Sequence, residues 1–160
     1  MLVLSQPSES LTLKHPDPVR IFWLWQTCLE NVNSLVKIMH VPTMQPLVFE
    51  ASADSSTVSP DMEALLFAIY LSALVSASEY DCQRVMGEPA SVLVERHTVL
   101  AQQALVNARF MRSSKKTTLQ AFVLFLVSVM VLIRAPDDTD SASCPCVSGL
   151  MLKASGCSLV

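Results

Sequence analysis

The chain has 160 residues, of which 51% are hydrophobic and 16% are charged, and its formal net charge at pH 7 is −3. This composition is too apolar for a disordered protein, and the acidic balance provides no general positive field for a phosphate backbone, so direct nucleic-acid binding is not expected. Nine prolines against three glycines favour helices separated by proline-containing turns over sheets with tight hairpins.

Residues 1–14, MLVLSQPSESLTLK, are predicted to be a polar lead-in or linker. They lack the basic n-region of a signal peptide, and polar residues interrupt their short apolar run. This start therefore predicts an intracellular protein.

The first helix is predicted over residues 18–39, with Asp17 as its N-cap and Pro18 at the first helical position. Its apolar residues recur at a spacing of three and four, and extra apolar positions widen the stripe, so more than one face should be buried. Two prolines bracket the next short segment, in which Thr43 is expected to cap a helical turn that ends at Phe49. A polar loop, SADSSTVS, follows.

The third predicted helix covers residues 60–78 and begins at the N-cap Ser59. It is apolar almost all round, which is typical of a central helix. A short helix over residues 79–86 should end at Gly87, a residue suited to a left-handed C-cap.

Residues 88–111 predict a long amphipathic helix with Glu95, Arg96, Gln102 and Gln103 outward. His97 adjoins two of these polar residues, and we expect it to be solvated.

The last strong helix is predicted to start at Thr117 or Thr118 and to reach Arg134. Its most apolar part, LQAFVLFLVSVMVLI at residues 119–133, is shorter than the ~20 residues needed to span a membrane, so we expect a buried core helix. Residues 135–160 show no period of either kind and are predicted to form an irregular, disordered tail. The sequence thus predicts an all-α fold, an irregular bundle of five to six helices over residues 15–134.

The cysteines do not form a zinc-finger or disulfide pattern. Cys28 and Cys82 lie among apolar helical residues and are expected to be reduced core thiols. Cys144, Cys146 and Cys157 lie in the tail, where a pair separated by one proline is weak support for a metal site.

None of the three histidines predicts a catalytic centre. His15 precedes a proline at a helix entrance and should be an exposed turn residue. His40 has no acidic or cysteine residue within five positions, so we expect it to cap a helix, at the C-terminus of the first one.

Two clusters of charged residues could bind a ligand or could simply be solvated. The acidic residues Asp137, Asp138 and Asp140 read DDTD, whereas all-helical prenyl-transferring and terpene enzymes that hold magnesium need DDxxD and a second set of ligands. A magnesium-dependent enzyme of that class is therefore only an alternative. The basic residues of RFMRSSKK are expected to lie in a solvated loop; they are Arg109, Arg112, Lys115 and Lys116. No GxSxG, HExxH, GxGxxG or P-loop occurs, and we predict no catalytic, cofactor-binding or metal-binding residue.

Three segments carry a family resemblance. Trp25 followed by ENVNSLVKIMHVPT, then EALLFAIY, then TLQAFVLFL occur in the order found in the fungal-specific transcription factor domain, and residues 15–138 as a whole resemble it. This domain is the regulatory middle region of fungal binuclear zinc-cluster transcription factors. The resemblance implies an all-α, nuclear regulatory domain without agreed catalytic residues that acts through intramolecular or partner contacts.

Two departures from the family shape the prediction. The six-cysteine zinc cluster and basic linker that precede this domain do not occur here, so neither zinc nor direct DNA binding is expected of this chain. After DD, the family continues with further helices, whereas this chain continues with SASCPCVSGLMLKASGCSLV. We therefore expect a fragment of a transcription regulator with an incomplete helical domain over residues 15–134. Its exposed apolar helices should contact protein partners, other parts of the same factor, or a second copy. A small membrane-associated helical protein is a further alternative; target genes and any effector stay open.

Overall fold

The computed structural model describes residues 14–134, and six α-helices make up most of that range. They are α1 (Pro18–Thr27), α2 (Val41–Ala53), α3 (Pro60–Ser76), α4 (Glu79–Met86), α5 (Ala90–Asn107) and α6 (Lys116–Arg134). A π-helical segment, Cys28–Asn33, continues α1, and a 3₁₀ turn, Ser55–Thr57, precedes α3. No strand occurs within these residues, and the all-α prediction is confirmed. The predictions for residues 1–13 and for the tail at 135–160 lie outside the described residues.

Helix α3 organises the core. Its start is fixed locally, because the Ser59 hydroxyl accepts a hydrogen bond from the Met62 backbone N–H at 3.4 Å and Pro60 needs no N–H partner in the first turn. Every residue at positions 64–74 is buried, because α3 packs against α1, α5 and α6 at once. The prediction of a central helix is confirmed, although α3 ends at Ser76, two residues before the predicted end.

The first helix ends earlier than predicted. Pro18 does occupy the first turn, but the Asp17 side chain makes no capping hydrogen bond. The backbone changes to π geometry at Cys28 and leaves the helix after Asn33, so the prediction of one helix to residue 39 is wrong. Near this end the Ser34 hydroxyl donates to the Glu30 carbonyl at 2.7 Å, and the Asn31 amide donates to the Ser76 carbonyl at the end of α3 at 3.2 Å.

Helix α2 is longer than the predicted turn. It starts at Val41 with His40, not Thr43, in the N-cap position, and it continues past Phe49 to Ala53. Pro46 lies inside the helix without ending it, at the loss of one backbone hydrogen bond. The predicted polar loop is thus partly helical, and Asp54 orders its remainder by accepting from the Ser56 N–H at 3.0 Å.

The second half of the described chain follows the prediction closely. Gly87 ends α4 with a left-handed φ of 77°, and α5 starts just after Pro89 but ends at Asn107, four residues before its predicted end. The Glu79 carboxylate accepts from the Ala90 N–H at 3.1 Å, which places a negative charge at the positive end of α5. Helix α6 begins at Lys116, one residue before the predicted start.

Candidate protein-contact surface

Helix α6 presents two apolar faces, and the structure covers only one of them. The covered face packs on α3 and contains the buried residues Thr118, Ala121, Leu124 and Ser128. The Ser128 hydroxyl is satisfied within the helix, because it donates to the Leu124 carbonyl at 2.8 Å. The prediction of a buried core helix therefore holds for this face alone.

The second face is an apolar stripe on the protein surface, which we call the outer stripe. Its members are Leu119, Val123, Leu126, Met130 and Ile133. Leu119 is 63% exposed, Met130 is 59% exposed and Ile133 is 75% exposed, while Leu126 is 43% exposed and Val123 is half-buried. A shallow groove of about 460 Å³ runs along this face and is lined by Val123, Leu126, Val127, Met130, Val131 and Arg134. An exposed apolar surface of this kind marks a contact site for protein or membrane.

The start of α6 is anchored to α3 by a polar cluster. Asp61 accepts a hydrogen bond from the buried Thr118 hydroxyl at 3.0 Å and also forms an ion pair with Lys115. The Asp61 carboxylate therefore lies at the positive end of α6, where a negative charge is favourable. Further along α6, the Gln120 amide donates to the Ile38 carbonyl at 2.7 Å. These bonds hold α6 in place and so fix the direction in which the outer stripe faces.

The basic run is exposed, as predicted. All four cations lie on the surface around the turn before α6, and Lys115 is engaged by Asp61. Next to it, a second groove of about 450 Å³ is lined by residues of α2, α3 and α6, among them Leu47, Glu50, Asp61 and Lys115. Acidic, basic and apolar side chains all line this groove, so its lining does not indicate a particular class of ligand.

Two of the three histidines lie where the sequence did not predict them. The His15 side chain is only 5% exposed, so the prediction that His15 is an exposed turn residue is wrong. Its Nδ1 lies 3.3 Å from the Tyr70 hydroxyl, its Nε2 lies 3.7 Å from a Glu63 oxygen, and its ring contacts Phe67 with 4.8 Å between centroids. His15 thus fastens the chain before α1 to the central helix.

His97 is 4% exposed and not solvated as expected. Its Nδ1–H donates to the Leu93 carbonyl at 2.8 Å, which fixes the tautomer of the neutral ring. Burial lowers the pKa of His97 below the usual value, more strongly than the hydrogen bond to Leu93 raises it. The ring is therefore a neutral core group.

His40 has a capping position, but at the start of α2 and not at the end of the first helix. Its carbonyl accepts from the Thr43 and Met44 N–H groups, both at 3.1 Å, and its Nδ1 lies 2.7 Å from the Thr43 hydroxyl. The ring is exposed, and its contact with Thr43 lies in the first turn of α2.

The two cysteines in the described range, Cys28 and Cys82, are buried among core residues, as predicted. Burial raises the pKa of the Cys28 thiol to about 11, although the Ser72 hydroxyl at 3.4 Å opposes this change. The Cys28 thiol is thus protonated near neutral pH and unreactive. Cys144, Cys146 and Cys157 lie outside the described residues.

Within residues 14–134, no group of three or more His, Cys, Asp or Glu side chains would suit a metal ion. The acidic cluster Asp137, Asp138 and Asp140 lies outside the described residues. The prediction that this chain has no catalytic, cofactor-binding or metal-binding residue stays a prediction.

Among the helices described, α6 is the one long and apolar enough to cross a bilayer. Core helices of soluble proteins can have the same length and apolarity, so these two properties alone do not identify a membrane span.

Comparison with known proteins identifies what the chain is similar to. It is 40% identical over 134 residues to the transcriptional regulator AacuB of Aspergillus aculeatus, an alignment that covers 84% of this chain and 17% of that protein. It is 40% identical over 124 residues to the aurofusarin cluster transcription factor aurR2 of Gibberella zeae, covering 78% of this chain and 18% of that protein. This chain is homologous to one segment of fungal transcription regulators.

A more distant relative adds to this homology. The C6 finger domain transcription factor adaR of Aspergillus niger is 29% identical over 128 residues, covering 78% of this chain and 16% of adaR. The chain thus spans less than a fifth of the length of these relatives. No protein-family model matches it, and no solved structure matches it. The resemblance to fungal transcription regulators is confirmed, at the level of homology to part of them.

The sequence predicted exposed apolar helices but did not identify the outer stripe as the face of α6 that stays uncovered. The signal was present, because the stripe residues follow a spacing of four and three along α6. However, α6 is apolar on several sides, and spacing alone does not reveal which side its neighbours will cover.

Proposed function

We propose that this chain is a non-catalytic regulatory segment of a fungal zinc-cluster transcription factor, and that it acts in the nucleus through protein contacts made by the outer stripe of α6. The observation that carries the proposal is the 40% identity to AacuB over 84% of the chain. The finer assignment, to the fungal-specific transcription factor domain, rests on the order of its three marker segments in this sequence.

The structure supports contact as the mode of action. The buried residues with perturbed pKa values are held in unreactive states: Cys28 and Tyr70 as neutral acids by burial, and His97 as a neutral base. By contrast, the outer stripe is exposed and apolar, and it lies on a helix that Asp61 and Thr118 hold in place. A rigid apolar surface of this kind suits a protein partner, because little conformational entropy is lost when it binds.

DNA contact is assigned to another part of such a factor. The chain carries no six-cysteine zinc cluster, and its net charge of −3 does not favour a phosphate backbone. Within the proposed function, this segment therefore needs no cofactor and sets the activity of a factor whose DNA-binding region lies elsewhere.

A chimeric regulator tests this function. The segment of AacuB that aligns with this chain is replaced by this chain in Aspergillus aculeatus, and transcripts that depend on AacuB are measured against wild-type and deletion strains. We expect the chimera to restore these transcripts, and the double substitution Leu126→Glu, Met130→Glu to abolish the restoration. Val99→Glu, at an exposed position of α5, is the matched control and should have no effect. A chimera that accumulates to wild-type level, as judged by immunoblot, yet gives deletion-level transcripts contradicts the proposal.

Membrane association is the second candidate function, favoured by the length and apolarity of α6. It conflicts with the packing of the buried α6 face on α3, which a membrane span would have to break. Carbonate extraction of the expressed chain separates the two: a soluble chain excludes a membrane span, and a chain that stays in the pellet with lipid supports it.

A further inference from the structure

The connection between α5 and α6 carries a concentrated positive charge. Residues 109–116, RFMRSSKK, which we call the basic turn, contain four cations and no acid, although the whole chain has a net charge of −3. No Asp or Glu occurs between Glu95 and Asp137. Within the described residues, one of the four cations, Lys115, pairs with an acid, which is Asp61. The basic turn therefore presents three exposed cations that the described fold does not neutralise; they are Arg109, Arg112 and Lys116.

The backbone at Arg109 has a conformation that favours glycine. Helix α5 ends in a Schellman motif, in which the Arg109 N–H donates to the Val106 carbonyl at 3.0 Å. The second bond of the motif joins the Phe110 N–H to the Leu105 carbonyl at 3.2 Å. Arg109 has a φ of 51° and is the one non-glycine residue with a positive φ in the described range. Because glycine is the usual and least strained residue at this position, an arginine there indicates a role for its side chain other than in folding.

Contacts on both sides hold the basic turn in one shape. The Phe110 ring packs against the core and stacks on Phe122 of α6, with 5.0 Å between the ring centroids. The Ser113 hydroxyl donates to the Thr118 hydroxyl at 3.2 Å. A partner that binds here therefore orders side chains and not the backbone, so the loss of conformational entropy is small.

Met111 gives the basic turn an apolar centre. Its side chain is 83% exposed, and it lies between Arg109 and Arg112 in the sequence. Arginine binds a carboxylate through two parallel hydrogen bonds, and methionine adapts its shape to apolar partners. We propose that the basic turn binds an acidic peptide segment of a partner protein, in which an apolar side chain lies among the carboxylates. This contact surface is separate from the outer stripe and does not rest on it.

Two other anionic partners suit the basic turn less well. The phosphate backbone of a nucleic acid would pair with the cations, but it would leave Met111 without an apolar contact, and the negative net charge of the chain would oppose its approach. Anionic membrane surfaces are bound by clusters of about four to eight cations. Since Asp61 already engages Lys115, the basic turn offers fewer than that.

Fluorescence anisotropy of the full chain tests the surface. The probe is a fluorescein-labelled peptide of Asp-Asp-Leu repeats, and a peptide of Asn-Asn-Leu repeats is its uncharged control. We expect the acidic peptide to bind with a Kd of about 100 µM or less at low salt and more weakly as the salt concentration rises. Arg112→Gln with Lys116→Gln should raise this Kd at least about tenfold, whereas Arg84→Gln, at an exposed position of α4, should leave it unchanged. A chain that binds neither peptide, or both equally, overturns the proposal.

Arg109→Gly separates a binding role from a structural one. Glycine adopts the left-handed φ without strain, so this variant should unfold at the same or a higher urea concentration than the wild type. It also lacks the guanidinium group, so its Kd for the Asp-Asp-Leu peptide should rise at least about threefold. A variant that keeps both its stability and the wild-type Kd would show that Arg109 has no binding role, and it would overturn the proposal.

The apolar centre and the competing partners are tested with other probes. A peptide of Asp-Asp-Ser repeats should bind the wild type more weakly than the Asp-Asp-Leu peptide, and Met111→Ala should remove most of this difference. Equal binding of the two peptides by the wild type would contradict a role for Met111 and overturn the proposed partner. A labelled DNA duplex, or vesicles containing phosphatidylserine, could instead bind more tightly than the acidic peptide and lose binding in Arg112→Gln with Lys116→Gln. That result would assign the basic turn to phosphate groups and also overturn the proposal.

This inference and the proposed function can fail separately. Leu126→Glu with Met130→Glu alters the outer stripe at least about 15 Å along α6 from Lys116, beyond the Debye length at ~0.1 M salt, so the peptide Kd should not change. Loss of peptide binding in that variant would place the peptide on the outer stripe and overturn the inference. An AacuB chimera that fails although the chain binds the peptide refutes the proposed function alone. A chimera that restores transcription although the chain binds no peptide refutes this inference alone.

Discussion

Helices α3 and α6 are similarly apolar in sequence but differ in how much of their surface the fold covers. Residues 64–74 of α3 are all buried, because three other helices surround them. Helix α6 is two residues longer, yet it buries only Thr118, Ala121, Leu124 and Ser128. An apolar helix thus indicates that a covering surface is needed, but not that the same chain provides it. Substitutions in α3, at its junction with α6 and in the outer stripe test this difference, and a pH titration tests the buried histidine of α5.

The largest effect is expected in α3. Phe67 is fully buried and contacts both Tyr70 and His15 with its ring. Phe67→Ala should lower the free energy of unfolding by about 3–5 kcal/mol, because it removes apolar contacts and leaves a cavity. Urea denaturation followed by circular dichroism measures the change. Val19→Ala, at a position 78% exposed, is the control and should change the free energy by no more than about 0.5 kcal/mol. Equal effects of the two substitutions would show that α3 is not the core.

The second effect is expected where α6 is joined to α3. Thr118→Val keeps the side-chain shape but removes the hydroxyl that donates to Asp61, so the free energy of unfolding should fall by about 1–3 kcal/mol. Thr117→Val, at the neighbouring half-buried position, is the matched control and should have a smaller effect. A loss for Thr117→Val as large as that for Thr118→Val, in the same urea titration, would argue against the anchoring role of Asp61.

The third effect is a dependence of stability on pH. The pKa of His97 is lowered in the folded state, so the folded protein binds this proton less readily than the unfolded chain, whose histidine has a pKa near 6.5. The contribution of neutral His97 to the free energy of unfolding is therefore fully present above that unfolded pKa. This contribution is lost as the pH falls below it. The slope from this residue should not exceed about 1.4 kcal/mol per pH unit. His97→Gln should remove this part of the slope between about pH 6.5 and pH 5. If the variant and the wild type lose stability in parallel over that range, His97 does not titrate as inferred.

Local features of the fold were predictable from the sequence. The start of α3 depends on Ser59 and Pro60, and the end of α4 depends on Gly87; each signal acts within a few residues. The end of the first helix was missed; next to it, Asn31 bonds to Ser76, which is 45 positions away along the chain. Such a contact leaves no trace in the local spacing of apolar residues.

The faces of α5 were misjudged for a related reason. Val92 and Val99 are apolar but exposed, at 44% and 61%, whereas His97 is buried. The histidine is tolerated in the core because the Leu93 carbonyl, one turn earlier in the same helix, accepts its N–H. Whether His97 is buried depends on which face of α5 the neighbouring helices cover, and the sequence of α5 does not show that.

The smallest effect on the isolated protein is expected in the outer stripe. Met130→Ala should change the free energy of unfolding by about 0.5 kcal/mol or less at low protein concentration, because Met130 is 59% exposed in the single chain. Urea titration at about 1 µM measures this change. A loss of about 2 kcal/mol would mean that Met130 is covered within one chain, and α6 would then resemble α3 after all.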